Sequence, residues 1–371
     1  MRVILVSHTY VARGNRGKLR ALTALGCTVA AAVPARWSTP QGAGTTVTDW
    51  DDDAGVRIVP VPVRGDPADP DTVVWDRRAL RRLLKDFRPD LVQVEEAPWS
   101  LATARIVAEA RRLRIPVTIF SWQTLPRRDT LRQRIRRRRV LHAAAGAVAG
   151  NAEAAALIAR AEPALPVAVI PQIGASVPPA ASRLGGPLAI AFFGRLIPEK
   201  GLDFLFRAAV KVLGSWTIDV VGTGPALLEL EQLAERLGIS ARITWHGALP
   251  RSDHGAVWAR VNCVSVPSRA TRDWVEIQGP VAIEAMARGI PVVVSSTGAL
   301  AETVGPGGIV VAEDDTASLA EALQTLLDDP TERARLGAEG RRRAMAVFAS
   351  DAVARRQLDF WHDVASQRAS V

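Results

Sequence analysis

The sequence predicts two doubly wound α/β domains, each a parallel sheet flanked by helices. Three observations carry that reading. Short β-branched runs alternate with longer helical patterns along the whole chain. The 371 residues are 48% apolar, enough for two ordinary cores. The stretch 171–187 is rich in Pro, Gly, Ser and Ala, a linker composition. In the first half the expected strands are 2–6, 28–33, 56–63, 91–95, 117–120, 146–149 and 167–170. In the second half they are 188–193, 217–221, 243–245, 263–266, 291–294 and 308–311. The predicted units are 1–175, 187–345, and a C-terminal helix in 346–371 that returns to the first domain. Ligands of such Rossmann-like sheets lie at the carboxyl ends of the strands, here in a central cleft faced by both sheets.

Charge divides the chain. Residues 1–180 hold 27 Lys/Arg against 16 Asp/Glu, whereas the remainder holds 20 against 22. A basic half beside a near-neutral half implies that the first meets something anionic. Nucleic acid is disfavoured, because no recognition fold or aromatic platform accompanies the charge. Cys27 and Cys263 have neither disulfide nor metal-ligand spacing and read as core residues in a reducing compartment. The apolar run Val3–Val6 is too short for a signal peptide. No stretch reaches the ~20 apolar residues of a spanning helix. The expected location is therefore the cytoplasm, with any membrane contact made peripherally from the inner face.

Two glutamates eight positions apart carry the strongest chemical signal, in Val275-Glu-Ile-Gln-Gly-Pro-Val-Ala-Ile-Glu-Ala-Met-Ala-Arg-Gly289. Gly279-Pro280 opens a helix, which puts Glu276 in the preceding loop and Glu284 inside the helix. Carboxylates placed this way suit hydroxyl groups, and a helix N-terminus between them suits an anion. A sugar attached to a diphosphate offers both. Upstream, Gly194-Arg-Leu-Ile-Pro-Glu-Lys-Gly201 joins a strand to a helix predicted over 202–212. Arg195 and Lys200 bracket that turn, and both can reach a phosphate. Lysine is informative here, because the chain has four lysines against 43 arginines.

Three motifs together resemble glycosyltransferase family 4, retaining enzymes of the GT-B fold. They are Gly194-Arg195 through Lys200-Gly201, Val221-Gly222-Thr-Gly-Pro225, and Glu276 with Glu284. The resemblance spans nearly the whole chain and is strongest over 188–312. It implies transfer of a sugar from a UDP-, GDP- or TDP-sugar to a small molecule, a glycan or a lipid-linked sugar. The displacement would take place on one face of the donor, with the leaving phosphate helping to remove the acceptor proton. Arg195 and Lys200 would hold the diphosphate, Glu284 the ribose and Glu276 the sugar hydroxyls; Arg195, Lys200 and Glu276 form the expected catalytic set. Gly194, Gly222, Gly224, Gln278 and Gly279 would line the donor. The nucleotide sugar is a co-substrate, and no cofactor or metal is expected.

On the acceptor side the candidates are Gly17, Lys18, Glu95, Trp122 and Gln123. The loop Ser7–Arg20 fails as a Walker A motif, since Leu19 and Ala12 stand at required positions. The family's histidine after the fifth strand is absent; Ile119-Phe-Ser-Trp-Gln-Thr124 occupies that place. Glu96, beside Glu95, is an alternative polar contact. Asp49-Trp-Asp-Asp-Asp53 reads as a solvated acidic loop, Arg288 as a surface residue, and the His246 imidazole as structural. The segment Arg127–Leu141 carries eight arginines and one aspartate. As a helix it is either a solvated face or a contact for anionic membrane. The competing classes are a sugar-nucleotide epimerase and a non-catalytic sugar-nucleotide or membrane-binding module.

Overall fold

The computed structural model describes residues 1–38, 45–66, 69, 72–126, 128–180 and 186–369. Two compact units emerge, Met1–Gly174 with Ser350–Val371, and Ala175–Ala349.

The first unit is built on an eight-stranded sheet. Its strands are β1 (Arg2–Val6), β2 (Thr28–Pro34), β3 (Asp51–Asp53), β4 (Val56–Val61), β5 (Leu91–Val94), β6 (Val117–Ser121), β7 (Gly146–Ala149) and β8 (Val167–Val169). The spatial order is β8-β7-β6-β5-β1-β2-β4-β3, parallel throughout except for the edge strand β3. Chain order steps away from β1 through β2 on one side and away from β5 through β6 on the other. The reversal falls between β1 and β5, which pair directly, Val6 opposite Val94. These strands are apolar on both faces, as a sheet covered by helices on both sides requires. One face packs under α2 (Arg77–Phe87), α3 (Leu101–Arg112), α4 (Leu131–Ala143) and α5 (Ala152–Ala161). The other packs under α1 (Gly17–Ala24) and α13 (Ser350–Ala369), whose Trp361 is fully buried.

The second unit has strands β9 (Leu188–Phe193), β10 (Trp216–Val221), β11 (Ile243–Trp245), β12 (Cys263–Val266), β13 (Val292–Ser295) and β14 (Gly308–Val311). All are parallel, in the order β11-β10-β9-β12-β13-β14, so the reversal falls between β9 and β12. Both sheets therefore have a crevice at their carboxyl ends where loops leave in opposite directions.

Several boundaries differ from expectation. α6 runs Leu202–Ala209 and stops short of residue 212, in a turn leading to Gly214 at φ +121°. α12 (Pro330–Arg343) passes into a wider π-type turn, Ala344–Phe348. Two small hairpins, Arg36–Ser38 with Thr45–Val47 and Val63–Arg64 with Val74–Trp75, lack a strong apolar alternation and escaped the sequence reading.

Asp49–Asp53 is not a solvated loop. Asp51–Asp53 forms the edge strand β3, and Asp53 is buried between Arg16 (3.2 Å) and Arg20 (2.8 Å). The Arg20 hydrogen bond, with Arg16 adding to it, outweighs burial and holds the Asp53 carboxyl below the usual range. Both cysteines are buried and unpaired.

Beneath the first crevice lies a closed polar network. Lys18 Nζ donates to Glu95 Oε1 at 2.8 Å, with both side chains at 0% exposure. Tyr10 Oη (2.7 Å) and Gln172 Nε2 (3.2 Å) donate to the other carboxylate oxygen, and Gln93 Nε2 (2.9 Å) shares the first. Gln93 also accepts from the Trp361 indole at 2.9 Å, tying α13 to the sheet. Removing one partner of such a pair strands a charge in a dry interior. Glu95→Ala is expected to destabilise the protein by about 3–5 kcal/mol, read as a lower urea midpoint; wild-type stability would show that the pair is dispensable.

Candidate functional site

The second crevice is assembled from four loops held backbone to backbone. The loop after β9 hydrogen-bonds to the loop after β10: the Gly194 N–H donates to Val221 O (2.9 Å) and the Leu196 N–H to Thr223 O (2.9 Å). Gly222 stands at φ +145°, and a Cβ there would lie 1.8 Å from the Gly194 carbonyl oxygen. Gly224 belongs to the same turn. Across the reversal, Gly201 at φ +67° lets the chain pass the Pro267 carbonyl, which a Cβ would meet at 2.0 Å. The loop after β13 supports Glu276 from below, with the Ala299 N–H donating to Glu276 O at 2.8 Å.

This frame brings Lys200 and Glu276 together. Lys200 Nζ lies 2.5 Å from Glu276 Oε2, and Ser268 Oγ donates to the same oxygen at 3.1 Å. Glu276 is 8% exposed and Lys200 20%, so the pair sits just below the surface. The ammonium also lies over the Trp274 ring, 4.9 Å from its centre. Ser268, which sequence reasoning missed, is fully buried, and its own carbonyl accepts from Ser295 Oγ. Its signal was its position one residue past Pro267 at the end of β12.

Arg195 is exposed beside this pair in sequence, in the turn after Gly194. Gly279, at φ +72°, caps α9 (Pro280–Ala287), and Gln278 is buried with its carbonyl accepting from Thr303 Oγ1 at 2.6 Å. Glu284 projects from the second turn of α9 and pairs with the largely exposed Arg251 at 3.0 Å. Arg288 is half-buried: its guanidinium lies 4.7 Å over the Trp258 ring and donates to the Glu284 carbonyl. The surface expectation for Arg288 therefore fails, because a neighbouring indole offers a flat apolar seat. His246 joins Asp219 (2.6 Å) and Arg260 in a cluster next to α8 (Gly255–Trp258).

On the first unit, the acceptor-side candidates separate. Lys18 and Glu95 are sealed in the network described above, which withdraws both from any ligand; burial of an apolar-flanked ion pair was invisible without the fold. Gly17 packs against Ser350 at the start of α13. The Trp122 indole donates to Gln172 Oε1 at 2.7 Å and lies edge-on to Phe120. Gln123 is half-buried and lines a cavity of about 330 Å³ with Pro98, Ser121, Arg137 and Arg160. Glu96 engages His8, Nδ1 to Oε2 at 2.9 Å. Among the described residues no three His, Cys, Asp or Glu side chains cluster as metal ligands.

Two family descriptions match this chain in succession. "Glycosyl transferase 4-like domain" covers residues 11–172 and "Glycosyl transferases group 1" covers 179–343. The chain belongs to glycosyltransferase family 4. It is 31% identical over 169 residues to a GDP-mannose-dependent alpha-(1-6)-phosphatidylinositol monomannoside mannosyltransferase of Mycolicibacterium smegmatis, covering 44% of each chain. It is 36% identical over 181 residues to a D-inositol 3-phosphate glycosyltransferase of Mycolicibacterium paratuberculosis, covering 46% of this chain and 40% of that one. The chain thus spans under half the length of these curated relatives. In three dimensions it matches sucrose-phosphate synthase from Thermosynechococcus elongatus over 99% of this chain and 100% of the other, with a TM-score of 0.70 at 20% identity. The architecture of this family 4 member is GT-B.

The Gly222 contact gives a direct check on the frame. Gly222→Ala would force a methyl into the Gly194 carbonyl, and both partners are backbone, so neither can yield cheaply. The variant is expected to lose nucleotide binding measured by calorimetry; retained wild-type affinity would show that the two loops are not locked together.

Proposed function

We propose that this protein is a retaining glycosyltransferase that moves a sugar from a nucleotide sugar to a hydroxyl of an inositol-type acceptor. The observation that carries the reading is the Lys200–Glu276 pair, with Ser268, at the reversal point of a sheet whose loops are glycine-locked. A cation and a hydroxyl-accepting carboxylate, 2.5 Å apart, suit the two ends of a sugar diphosphate. GDP-mannose is the favoured donor, since a similar protein is named as dependent on it. The favoured acceptor is a polyol ring, since both relatives above are named for inositol-based acceptors.

In this mechanism Lys200 leaves Glu276 for the diphosphate, and Arg195 joins it. Both stabilise charge as the glycosidic bond breaks. Glu276, released and still held by Ser268, accepts from sugar hydroxyls and fixes the ring for attack. Glu284 exchanges Arg251 for the ribose diol. The acceptor hydroxyl attacks the anomeric carbon from the face that the diphosphate leaves, and its proton passes to the departing phosphate oxygen. Two guanidinium or ammonium charges and the α9 N-terminus suffice for the leaving group, so the scheme uses no metal or other cofactor.

The exposed face of α4 supports a peripheral membrane site at the cytoplasmic leaflet. Thr130 and Gln133 form a reciprocal cap that sets this helix despite its charge (2.8 and 3.3 Å). It docks through buried Val140 and Leu141 and leaves Leu131 (70%) and Ile135 (44%) exposed among Arg132, Arg134, Arg138 and Arg139. Apolar side chains amid arginines fit a lipid interface better than a merely solvated face. Arg127 lies outside the described residues. No helix among the described residues is long and apolar enough to cross a membrane.

A thermal-shift screen of GDP-, UDP- and TDP-sugars identifies the donor. Lys200→Ala and Arg195→Ala should each weaken donor affinity roughly tenfold to a hundredfold, for loss of about 1.5–3 kcal/mol. Glu284→Ala should weaken free nucleotide as well as donor, whereas Glu276→Ala should spare nucleotide and lower turnover. Equal nucleotide losses in the two glutamate variants would contradict the division of roles. For the membrane site, wild-type protein should co-sediment with phosphatidylinositol-containing vesicles at low salt and be released as salt screens each ~1 kcal/mol charge contact. The quadruple change of Arg132, Arg134, Arg138 and Arg139 to Gln should abolish sedimentation, and protein that stays in the supernatant throughout would refute the membrane site.

A further inference from the structure

The first unit has its own reversal point, between β1 and β5. Ligands of doubly wound sheets bind in the crevice at such a point, beyond the carboxyl ends of the two strands. The residues there are Ser7-His8 after β1 and Glu95-Glu96 after β5. Glu95 points into the protein, but His8 and Glu96 do not follow it. The His8 side chain is 40% exposed and that of Glu96 10%.

Their geometry is that of an oriented imidazole. His8 Nδ1 lies 3.0 and 2.9 Å from the two Glu96 oxygens, and the His8 backbone N–H donates to Oε1 at 2.9 Å. The ring stacks on Trp37, centres 4.7 Å apart and planes 20° apart, and Trp37 is itself buried. Ring, carboxylate and main chain thus fix His8 from three sides. A carboxylate can only accept, so Nδ1 carries the proton. In the neutral ring Nε2 then presents its lone pair, with no partner among the described residues.

We propose that His8, oriented by Glu96 and Trp37, is the acceptor-recognising residue of the first unit, with Nε2 hydrogen-bonding a ring hydroxyl of a polyol, as acceptor in the neutral ring and as donor in the imidazolium. The inference rests on the transferase reading and names its acceptor contact. The pair favours a hydroxyl over a phosphate, because Glu96 cancels the charge of an imidazolium and repels an anion. Burial opposes protonation of His8, but Glu96, with a smaller push from Glu95, outweighs it and raises the imidazole above its ordinary value. Lys18, from α1, pairs with Glu95 and partly offsets that carboxylate's charge.

Imidazole NMR of the full chain saturated with GDP tests the assignment, with myo-inositol and inorganic phosphate as separate probes. The His8 resonance, identified by its loss in His8→Asn, should shift saturably with myo-inositol and stay put with phosphate. His8→Asn should weaken myo-inositol binding roughly fivefold to tenfold. Glu96→Gln should lower the His8 titration midpoint and weaken the inositol response, which a purely structural role for Glu96 would not do. A His8 resonance indifferent to myo-inositol, or one responding to phosphate instead, overturns the proposal. Failure of GDP to bind at all would count against the donor reading alone, since the inositol titration is scored on His8 independently.

Discussion

Backbone touching backbone is the constraint on which the second unit depends. Where Gly222 passes Gly194 and Gly201 passes Pro267, there is no room for even one methyl group. Such contacts leave little slack, because the atoms involved belong to the chain itself and not to side chains that can rotate away. Lys200 and Ser268 sit immediately beside the Gly201–Pro267 contact, so their separation is inherited from it. The placement of this ion pair is here a property of main-chain packing and not of side-chain choice.

The two sheets apply one topological rule to different ends. In each, strand order reverses beside the first strand, and a lysine meets a glutamate near the carboxyl ends of the central strands. In the first unit the lysine and glutamate have sunk out of reach, and Tyr10, Gln93 and Gln172 complete their hydrogen bonds. In the second the pair remains near solvent, and Ser268 is the additional donor to the carboxylate. Depth and the number of hydrogen bonds set the two ion pairs apart.

Much of this was legible in the residues. Thirteen of the main-sheet strands announce themselves as apolar β-branched runs between turn residues, and Gly-Pro before an apolar helix marked α9 and both glutamates. What escaped has a common cause. Asp53 looks solvated until Arg16 and Arg20, over thirty residues away, fold onto it. Lys18 looks like a loop cation until Glu95 arrives from another strand. His8 carried no local pattern at all, because its orientation comes from Glu96 and Trp37. Periodicity encodes elements, but the partner of a polar side chain is set by strand order, which no short window contains.

The Lys200–Glu276 pair is electrically self-contained. An anion alone can draw Lys200 away only by leaving a carboxylate at 8% exposure with Ser268 as its remaining donor. A neutral sugar alone can reach Glu276 only while the ammonium still covers it. A ligand carrying both groups at the right spacing compensates each half as it separates the other. In the proposed mechanism the ion pair would act as a coincidence filter, favouring the intact donor over free phosphate or free sugar.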